Sequence, residues 1–157
     1  MCVAAPEQRW EQLGVPRMPG CDHRPGAAFG VAVDARERVT TGISSRERAH
    51  TIHLLADPGT RPDDLIRPGH VVTERSRPGG VLERGAIAEA TVDLTRLADL
   101  HPIGVPGHIV RDDGFSATDA DLRALARAHD LVLVTIADLI AHRRRRSATV
   151  PRAASIA

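Results

Sequence analysis

The chain has 157 residues, a length typical of a single domain, and its 42% of hydrophobic residues suits a soluble globular protein. All 21 basic residues are arginine and the formal net charge is +1, which excludes lysine Schiff-base chemistry and a P-loop lysine. Aromatic residues make up only 2%, so a base-stacking platform is excluded and nucleic acid is an unexpected partner. Because no apolar stretch approaches the roughly 20 residues of a membrane span and the N-terminus does not resemble a signal peptide, the sequence predicts a cytoplasmic protein.

The first third of the chain predicts one strand between two helices. Residues 6–13 predict a short helix closed by a glycine, and the apolar run 29–33 predicts a strand. Ser44 and Glu47 have the spacing of a capping box, which marks the start of a helix over 45–56.

The middle of the chain predicts loops followed by a helix. Residues 61–67 predict a short helix or turn, and glycines punctuate the segments 68–72 and 78–82, which predicts loops able to carry function. Apolar residues recur every three or four positions over 86–100, which predicts an amphipathic helix.

The last third of the chain predicts two strands and two helices. Residues 103–110 and the apolar run 131–134 are the strand candidates. The segments 118–129 and 135–143 each begin with a threonine followed three residues later by an aspartate, so both are predicted helices.

Helices and strands alternate along the whole chain. This order predicts an α/β fold, a single domain with a mixed sheet flanked by helices. The domain is expected to span residues 1–146. Residues 147–157 complete an arginine-rich stretch without acidic residues and are expected to form a disordered tail.

Hydroxyl side chains gather where the second predicted helix begins. Thr40, Thr41 and Ser44 lie beside a glycine just before this helix, where backbone N–H groups and the positive end of the helix dipole favour an anion. The alternative is that Ser44 only caps the helix and the threonines end a strand. All three residues are candidate substrate ligands.

Two arginines next to glycine-containing loops are further candidates for anion binding. A guanidinium can hold a phosphate through two parallel hydrogen bonds. Arg67 and Arg84 lie beside the segments 68–72 and 78–82, respectively. The alternative for each arginine is an ordinary surface charge.

Three residues are candidate acid or base groups. His70 follows a Pro-Gly pair, which restricts the backbone and predicts a rigid turn. Glu89 lies near the start of the helix over 86–100 and is either a general base or the partner of an arginine. His108 follows another Pro-Gly pair within a strand candidate, and a structural role is the alternative for both histidines. No group of His, Cys, Asp and Glu has the spacing of a metal site.

Four motifs stand in order along the chain: Val-Thr-Thr-Gly-Ile-Ser at 39–44, Arg-Pro-Gly-His-Val at 67–71, Arg-Pro-Gly-Gly-Val-Leu at 77–82 and Val-Thr-Ile-Ala-Asp-Leu-Ile at 134–140. In order and spacing, the set resembles the 3,4-dihydroxy-2-butanone 4-phosphate synthase family of riboflavin biosynthesis. The resemblance covers nearly the whole chain. It implies an α/β fold, homodimers with active sites at the subunit interface, and Mg²⁺-dependent conversion of ribulose 5-phosphate into formate and a four-carbon ketone phosphate.

The chain departs from the family pattern at positions that carry the chemistry. The family's acidic loop and first strand lie upstream of the position that matches Cys2, so we expect an N-terminally truncated, divergent member that lacks this strand. Ile87 stands where the family has a metal-binding histidine, and His108 stands where it has a catalytic glutamate. Mg²⁺ is therefore implied by the resemblance alone, with most of its ligands absent, and no cofactor is assigned.

The anion-binding side of the family pattern is similar in this chain, at Thr41, Arg84 and His70. We therefore expect a protein that binds a phosphorylated sugar or a related small anion, with altered or reduced lyase chemistry. The alternative is a non-catalytic partner protein. Because a missing strand would leave an unpaired sheet edge, we expect a homodimer or a heterodimer with a full-length homologue.

Overall fold

The computed structural model describes residues 2–20 and 28–149, with side chains as far as residue 146. Contacts divide the chain into two compact units, Met1–Gly107 and His108–Ala157. Within the described residues, the first unit contains the sheet and three α-helices, and the second contains two α-helices. Of the predicted tail, the backbone of 147–149 belongs to the last helix, and the rest of that prediction lies outside the described residues.

A mixed three-stranded sheet lies at the centre of the first unit. Its strands are β1 (Cys2–Pro6), β2 (Phe29–Ala35) and β3 (Leu65–Ser76), and their spatial order is β1-β3-β2. Strand β1 runs parallel to β3, and β2 runs antiparallel to it. The predicted α/β fold with a mixed sheet is confirmed.

Two of these strands differ from the sequence predictions. The short strand β1 was not predicted, and β3 occupies a stretch predicted to form loops. Within the predicted helix or turn at 61–67, only Pro62–Asp64 is helical, as one 3₁₀ turn. Proline and glycine normally mark loops or edge strands, yet β3 carries both and is the central strand, because it pairs with β1 on one side and β2 on the other.

The strand predictions for 103–110 and 131–134 are wrong. Among the described residues, the first segment takes part only in isolated bridges, which join Gly104 to Ala4 and Val110 to Ser116. The second segment forms no strand, and Val132 is 90% exposed. An apolar run specifies a strand only where its hydrogen bonds continue along a neighbouring strand. Gly104 exchanges hydrogen bonds with Ala4 of β1 at this one position, and the segment 131–134 pairs with no strand in the described part of the chain.

The predicted helices are confirmed, with ends that move by a few residues. They are α1 (Glu7–Gln12), α2 (Ser45–Ala56), α3 (Ile87–Leu97), α4 (Asp119–Ala128) and α5 (Ile136–Thr149). A second 3₁₀ turn, Gly80–Leu82, precedes α3. No helix in the described residues has the length and apolar character needed to cross a membrane.

One face of the sheet packs against α1 and α2 and forms the main hydrophobic core. Trp10 of α1 and Leu55 of α2 are fully buried there. The indole N–H of Trp10 donates to the carbonyl of Glu74 at 3.0 Å, which satisfies its polar end. The other buried residues of this core are Val3, Ala5, Leu13, Val15, Val33, Leu65 and Val71.

The opposite face of the sheet carries the polar side chains of β3. Helix α3 packs Ala88 and Val92 against Ala4 of β1 on this face. Glu74 is the ladder partner of Ala4, and residues two and four positions apart on a strand point the same way, so Glu74 and His70 share this face. We call it the second face. The His70 side chain is 46% exposed there.

The second unit contains α4, α5 and the segments before them. The hydroxyls of Thr118 and Thr135 accept backbone N–H groups of Asp121 and Asp138 and donate to their carboxylates. These hydrogen bonds lower the pKa of both aspartates. The unit also exposes several large apolar side chains, namely Ile109, Val110, Phe115, Leu131, Val132, Leu133 and Val134.

Candidate functional site

A buried aspartate and a half-exposed histidine form a close pair on neighbouring strands. Asp34 Oδ2 of β2 lies 2.7 Å from His70 Nδ1 of β3. The other carboxylate oxygen, Oδ1, accepts the backbone N–H of His70 at 3.0 Å. The Asp34 side chain is 4% exposed. One carboxylate therefore holds both the ring and the main chain of the histidine.

An irregularity in β3 brings these two side chains together. In the β2–β3 ladder, Val33 pairs with Val71 whereas Asp34 pairs with Ile66, so β3 carries extra residues between the two pairs. These extra residues include the Arg-Pro-Gly-His motif, which therefore forms a bulge within a strand instead of the predicted turn. A Cβ atom on Gly69 would overlap the backbone of Val33, so only glycine fits this close crossing.

The Thr-Thr-Gly loop packs directly on the Asp34–His70 pair. A Cβ atom on Gly42 would overlap Asp34 Oδ2 and would lie 2.8 Å from His70 Nδ1. Gly42 also has a φ of +75°, which side chains rarely tolerate. Thr41 is the residue before Gly42 in this loop.

The predicted anion ligands Thr40 and Ser44 donate to a carboxylate of this chain. Glu47 Oε1 accepts the backbone N–H of Thr40 at 2.5 Å and its hydroxyl at 2.8 Å, and Oε2 accepts the Ser44 hydroxyl at 2.9 Å. Donation from Thr40 and Ser44 lowers the pKa of Glu47 to about 2. Thr41 is not part of this arrangement; its hydroxyl accepts the N–H of Ile43 at 3.4 Å.

A second charged cluster lies where β3 meets α3. Glu89 is 0% exposed, and its oxygens accept the backbone N–H of Arg77 and the guanidinium Nε–H of Arg84, both at 2.8 Å. Arg84 Nη2 lies 3.7 Å from Glu74 Oε1. The thiol of Cys2 donates to Glu74 Oε2 at 3.7 Å, and burial together with this carboxylate raises its pKa to about 12. Glu89 thus forms the arginine pair that was its alternative role.

Among the described residues, neither Arg67 nor His108 forms a hydrogen bond with Asp34 or His70. The Arg67 guanidinium donates to the backbone carbonyls of Leu13, Pro62 and Leu65, so it ties β3 to the loop after α1. His108 is exposed and begins the second unit. Their assignments as a substrate ligand and a catalytic group remain predictions.

Two residues of these clusters were missed in the sequence. Asp34 directly follows the apolar run 29–33, and Glu74 lies between the predicted loop segments 68–72 and 78–82. Asp34 does carry a signal, since it is an acid at the end of an apolar strand. Glu74 carries none, because its role depends on which residues β1 and α3 bring to it.

The described residues do not provide a magnesium site on their own. No group of three or more His, Cys, Asp or Glu side chains among them is placed to hold a metal ion. At the position of the family's metal-binding histidine, the apolar side chain of Ile87 starts α3 and is 47% exposed. Mg²⁺ prefers several oxygen ligands, which this helix start lacks.

Comparisons with known proteins agree with the resemblance. The family model for 3,4-dihydroxy-2-butanone 4-phosphate synthase matches residues 1–142. The riboflavin biosynthesis protein RibBA of Salinispora arenicola is 53% identical over 146 residues, which are 92% of this chain and 35% of that protein. The chain therefore spans about a third of the length of such curated relatives.

Solved structures support the same assignment. RibBX, a two-domain synthase from A. baumannii, is 40% identical with a TM-score of 0.85, covering 90% of this chain and 42% of that one. A synthase in complex with two magnesium ions is 34% identical with a TM-score of 0.83, covering 95% of this chain and 75% of that one. Sequence and fold agree: the chain belongs to the 3,4-dihydroxy-2-butanone 4-phosphate synthase family.

Proposed function

We propose that this chain binds a phosphorylated sugar of the ribulose 5-phosphate class along the second face of the sheet, with altered or reduced lyase chemistry. The observation that carries the proposal is the distribution of polar groups on β3. His70 is half-exposed near one end of the strand, and Arg84 reaches Glu74 near the other. The family to which the chain belongs acts on such a sugar phosphate in riboflavin biosynthesis, which would place this protein in the cytoplasm.

The spacing of the two clusters suits a short phosphorylated chain. Glu74 is four positions after His70, so their Cα atoms lie about 13 Å apart along the strand. The guanidinium of Arg84 gives Nε to Glu89, and its terminal nitrogens, of which Nη2 lies 3.7 Å from Glu74 Oε1, would bind the phosphate in competition with Glu74. The phosphate end would then lie near Arg84, and the sugar carbons would extend over β3 towards His70 and Thr41.

The residues at each end define what the chain itself can do. His70 would accept or return a proton at the sugar, and the Thr41 hydroxyl would bind a sugar oxygen. The described residues supply no metal site, and no step of the proposal uses one. Ile87 and His108, at the family's metal-binding and catalytic positions, support altered or reduced turnover.

Formate release from ribulose 5-phosphate, with and without Mg²⁺, tests the lyase chemistry, and calorimetry with the same ligand tests binding. We expect saturable binding that Arg84→Ala weakens by about 1.5 to 3 kcal/mol, the contribution of a charged hydrogen bond. Thr41→Val provides a second variant, since Thr41 is exposed and its loss does not leave a buried acid without a partner. Arg96→Ala is the control, because Arg96 is an exposed arginine of α3 paired to Asp93. Equal affinity in all four proteins would contradict the proposed site.

A second candidate function is that of a non-catalytic partner protein. The exposed apolar side chains of the second unit favour it, because monomeric proteins rarely expose so many together. The partner would be a second copy of this chain or a full-length homologue. Analytical ultracentrifugation should then show a dimer that Val132→Glu dissociates. A monomer at all concentrations, alone or mixed with a full-length synthase, would contradict this candidate.

A further inference from the structure

We propose that a cleft beside α1 binds a small carboxylate with an apolar body, and that Arg9 is the ligand of its carboxylate group. The cleft has a volume of about 220 Å³ and lies between α1, the end of α2 and the segment 101–103. Among the described residues, none that lines it belongs to the sugar-phosphate site proposed above. The inference therefore goes beyond that function and does not depend on it.

The walls of the cleft are rigid and mainly apolar. A proline stands on each of the three sides, namely Pro6 before α1, Pro58 after α2 and Pro102 in the third segment, and a proline ring fixes its backbone φ. Ile103, which also lines the cleft, packs against the main hydrophobic core. Because cavities of about 150 Å³ with apolar walls bind benzene, this cleft has room for one six-membered ring and a small polar group.

The polar side chains of the cleft favour an anion over a cation. They can all donate hydrogen bonds and are Arg9, His101, and Gln8 and Gln12, which lie four positions apart on one face of α1. None of the described residues that line the cleft is acidic. Asp57 is close enough to affect Arg9, but its carboxylate accepts a backbone N–H of its own turn at 2.8 Å and does not line the cleft.

Arg9 is held in place with one nitrogen unused. Its Nε donates to the carbonyl of Leu55 at 3.0 Å and its Nη2 to the carbonyl of Asp57 at 2.5 Å, both at the C-terminal end of α2. Within the described part of the chain, Nη1 has no hydrogen-bond acceptor. A guanidinium that two carbonyls already fix loses little conformational entropy when a carboxylate binds to Nη1.

The partly buried charge of Arg9 also favours an anionic ligand. Burial lowers the pKa of Arg9 below its ordinary value, although the charge of Asp57 acts in the opposite direction. The charged guanidinium has therefore lost part of its hydration, which a bound anion would replace. A carboxylate suits a single unused nitrogen better than a phosphate dianion, which needs more donors. The apolar walls in turn require an apolar body on the ligand.

Benzoate is a probe of the required size and charge. Two-dimensional ¹H–¹⁵N spectra recorded with increasing benzoate should show saturable shifts of backbone signals in α1, at the end of α2 and in the segment 101–103. Benzylammonium, a cation of similar shape, should cause no such shifts at the same concentrations. Ribulose 5-phosphate should leave benzoate binding unchanged, because the two proposed sites share no residue.

Two variants separate the charge of Arg9 from the space in the cleft. Arg9→Met keeps an apolar stem without the charge and should weaken benzoate binding at least about 10-fold, the effect of losing a charged hydrogen bond. Because Arg9 also holds the end of α2, Ala56→Leu is the second variant; it keeps Arg9, fills the cleft and should weaken binding by a similar factor. Arg46→Gln is the control, because Arg46 is an exposed arginine of α2 outside the cleft, and its benzoate affinity should equal that of the wild-type protein.

The absence of saturable shifts in the wild-type protein would overturn the inference, and so would an unchanged benzoate affinity in Ala56→Leu. Equal binding of benzylammonium and benzoate would overturn the assignment of the ligand as a carboxylate. Displacement of benzoate by ribulose 5-phosphate would show that the cleft is not a separate site. Benzoate binding in a protein that does not bind ribulose 5-phosphate would support the cleft and contradict only the proposed function.

Discussion

Asp34 and Glu89 are two buried acids with opposite consequences for their partners. Asp34 holds a histidine that keeps an open side and a nitrogen without a described hydrogen-bond partner. Glu89 holds the backbone of Arg77 and the guanidinium of Arg84, at the junction of α3 with the preceding loop. The first acid orients a group that faces solvent, whereas the second joins two segments of the fold.

The difference shows how a catalytic candidate is distinguished from a structural acid in this chain. Nearness to the family pattern does not separate them, because His70 lies in the motif at 67–71 and Glu89 lies two residues after Ile87, at the family's metal-binding position. What separates them is the exposure of the group and the number of its atoms that already have partners. By this criterion His70 is the candidate for chemistry, whereas both carboxylate oxygens of Glu89 accept hydrogen bonds within the fold.

The largest expected effect is the loss of stability in Glu89→Ala. Removal of the carboxylate leaves the Arg77 N–H without its acceptor and Arg84 without its close partner, so the free energy of unfolding should fall by about 3 kcal/mol. Urea denaturation measures this free energy. The control is Glu11→Ala, because Glu11 is an exposed acid of α1. A change as small as that of the control would show that Glu89 is not a structural acid.

Gly42→Ala should cause the next largest loss of stability, because the new side chain disturbs the packing of the loop on the Asp34–His70 pair. The new Cβ meets Asp34 Oδ2, and the φ of +75° disfavours a side chain, so we expect a loss of about 2 kcal/mol. Gly114→Ala is a matched control with a φ of +84° and no atom within 4 Å of the new Cβ. It should lose only about 1 kcal/mol. Equal losses in denaturation would mean that the close packing on the pair contributes nothing.

Glu74→Gln should raise the affinity for phosphate at Arg84. Glu74 competes with an incoming phosphate for the terminal nitrogens of Arg84, so neutralising it should raise phosphate affinity by about 2- to 5-fold. Calorimetric titration with inorganic phosphate measures the change, and Glu83→Gln, an exposed acid near the same loop, is the control. Weaker binding in Glu74→Gln would show that Glu74 supports the site instead of restraining it.

The smallest effect concerns Glu47, an exposed acid whose oxygens accept from Thr40 and Ser44. Its folded pKa of about 2 lies below the ordinary glutamate value of 4.5, so its stabilising contribution is present above pH 4.5 and is lost as the pH falls towards 2. Tm measured across this interval should fall less steeply in Glu47→Gln than in the wild-type protein. Parallel Tm curves would show that the hydrogen bonds to Glu47 do not favour its ionised form.

Local sequence signals predicted part of the fold and part of the site. The capping box of Ser44 and Glu47 marked the start of α2, because it involves residues only three apart. The hydroxyl residues just before this helix predicted Thr40 and Ser44 as anion ligands. In the structure both residues donate hydrogen bonds to Glu47. The helix-capping alternative for Ser44 describes the observed contacts.

The helices, the α/β class and the family were predictable from the sequence, since capping boxes, amphipathic spacing and motifs are short patterns that can be read along the chain. Only the tertiary structure decided that the Arg-Pro-Gly-His motif is a bulge in a central strand and that Asp34 faces His70, 36 positions away. Tertiary contacts likewise determined that Arg84 lies between two acids. The physical reason is that exposure and hydrogen-bond partners depend on how distant segments pack, which no local pattern encodes.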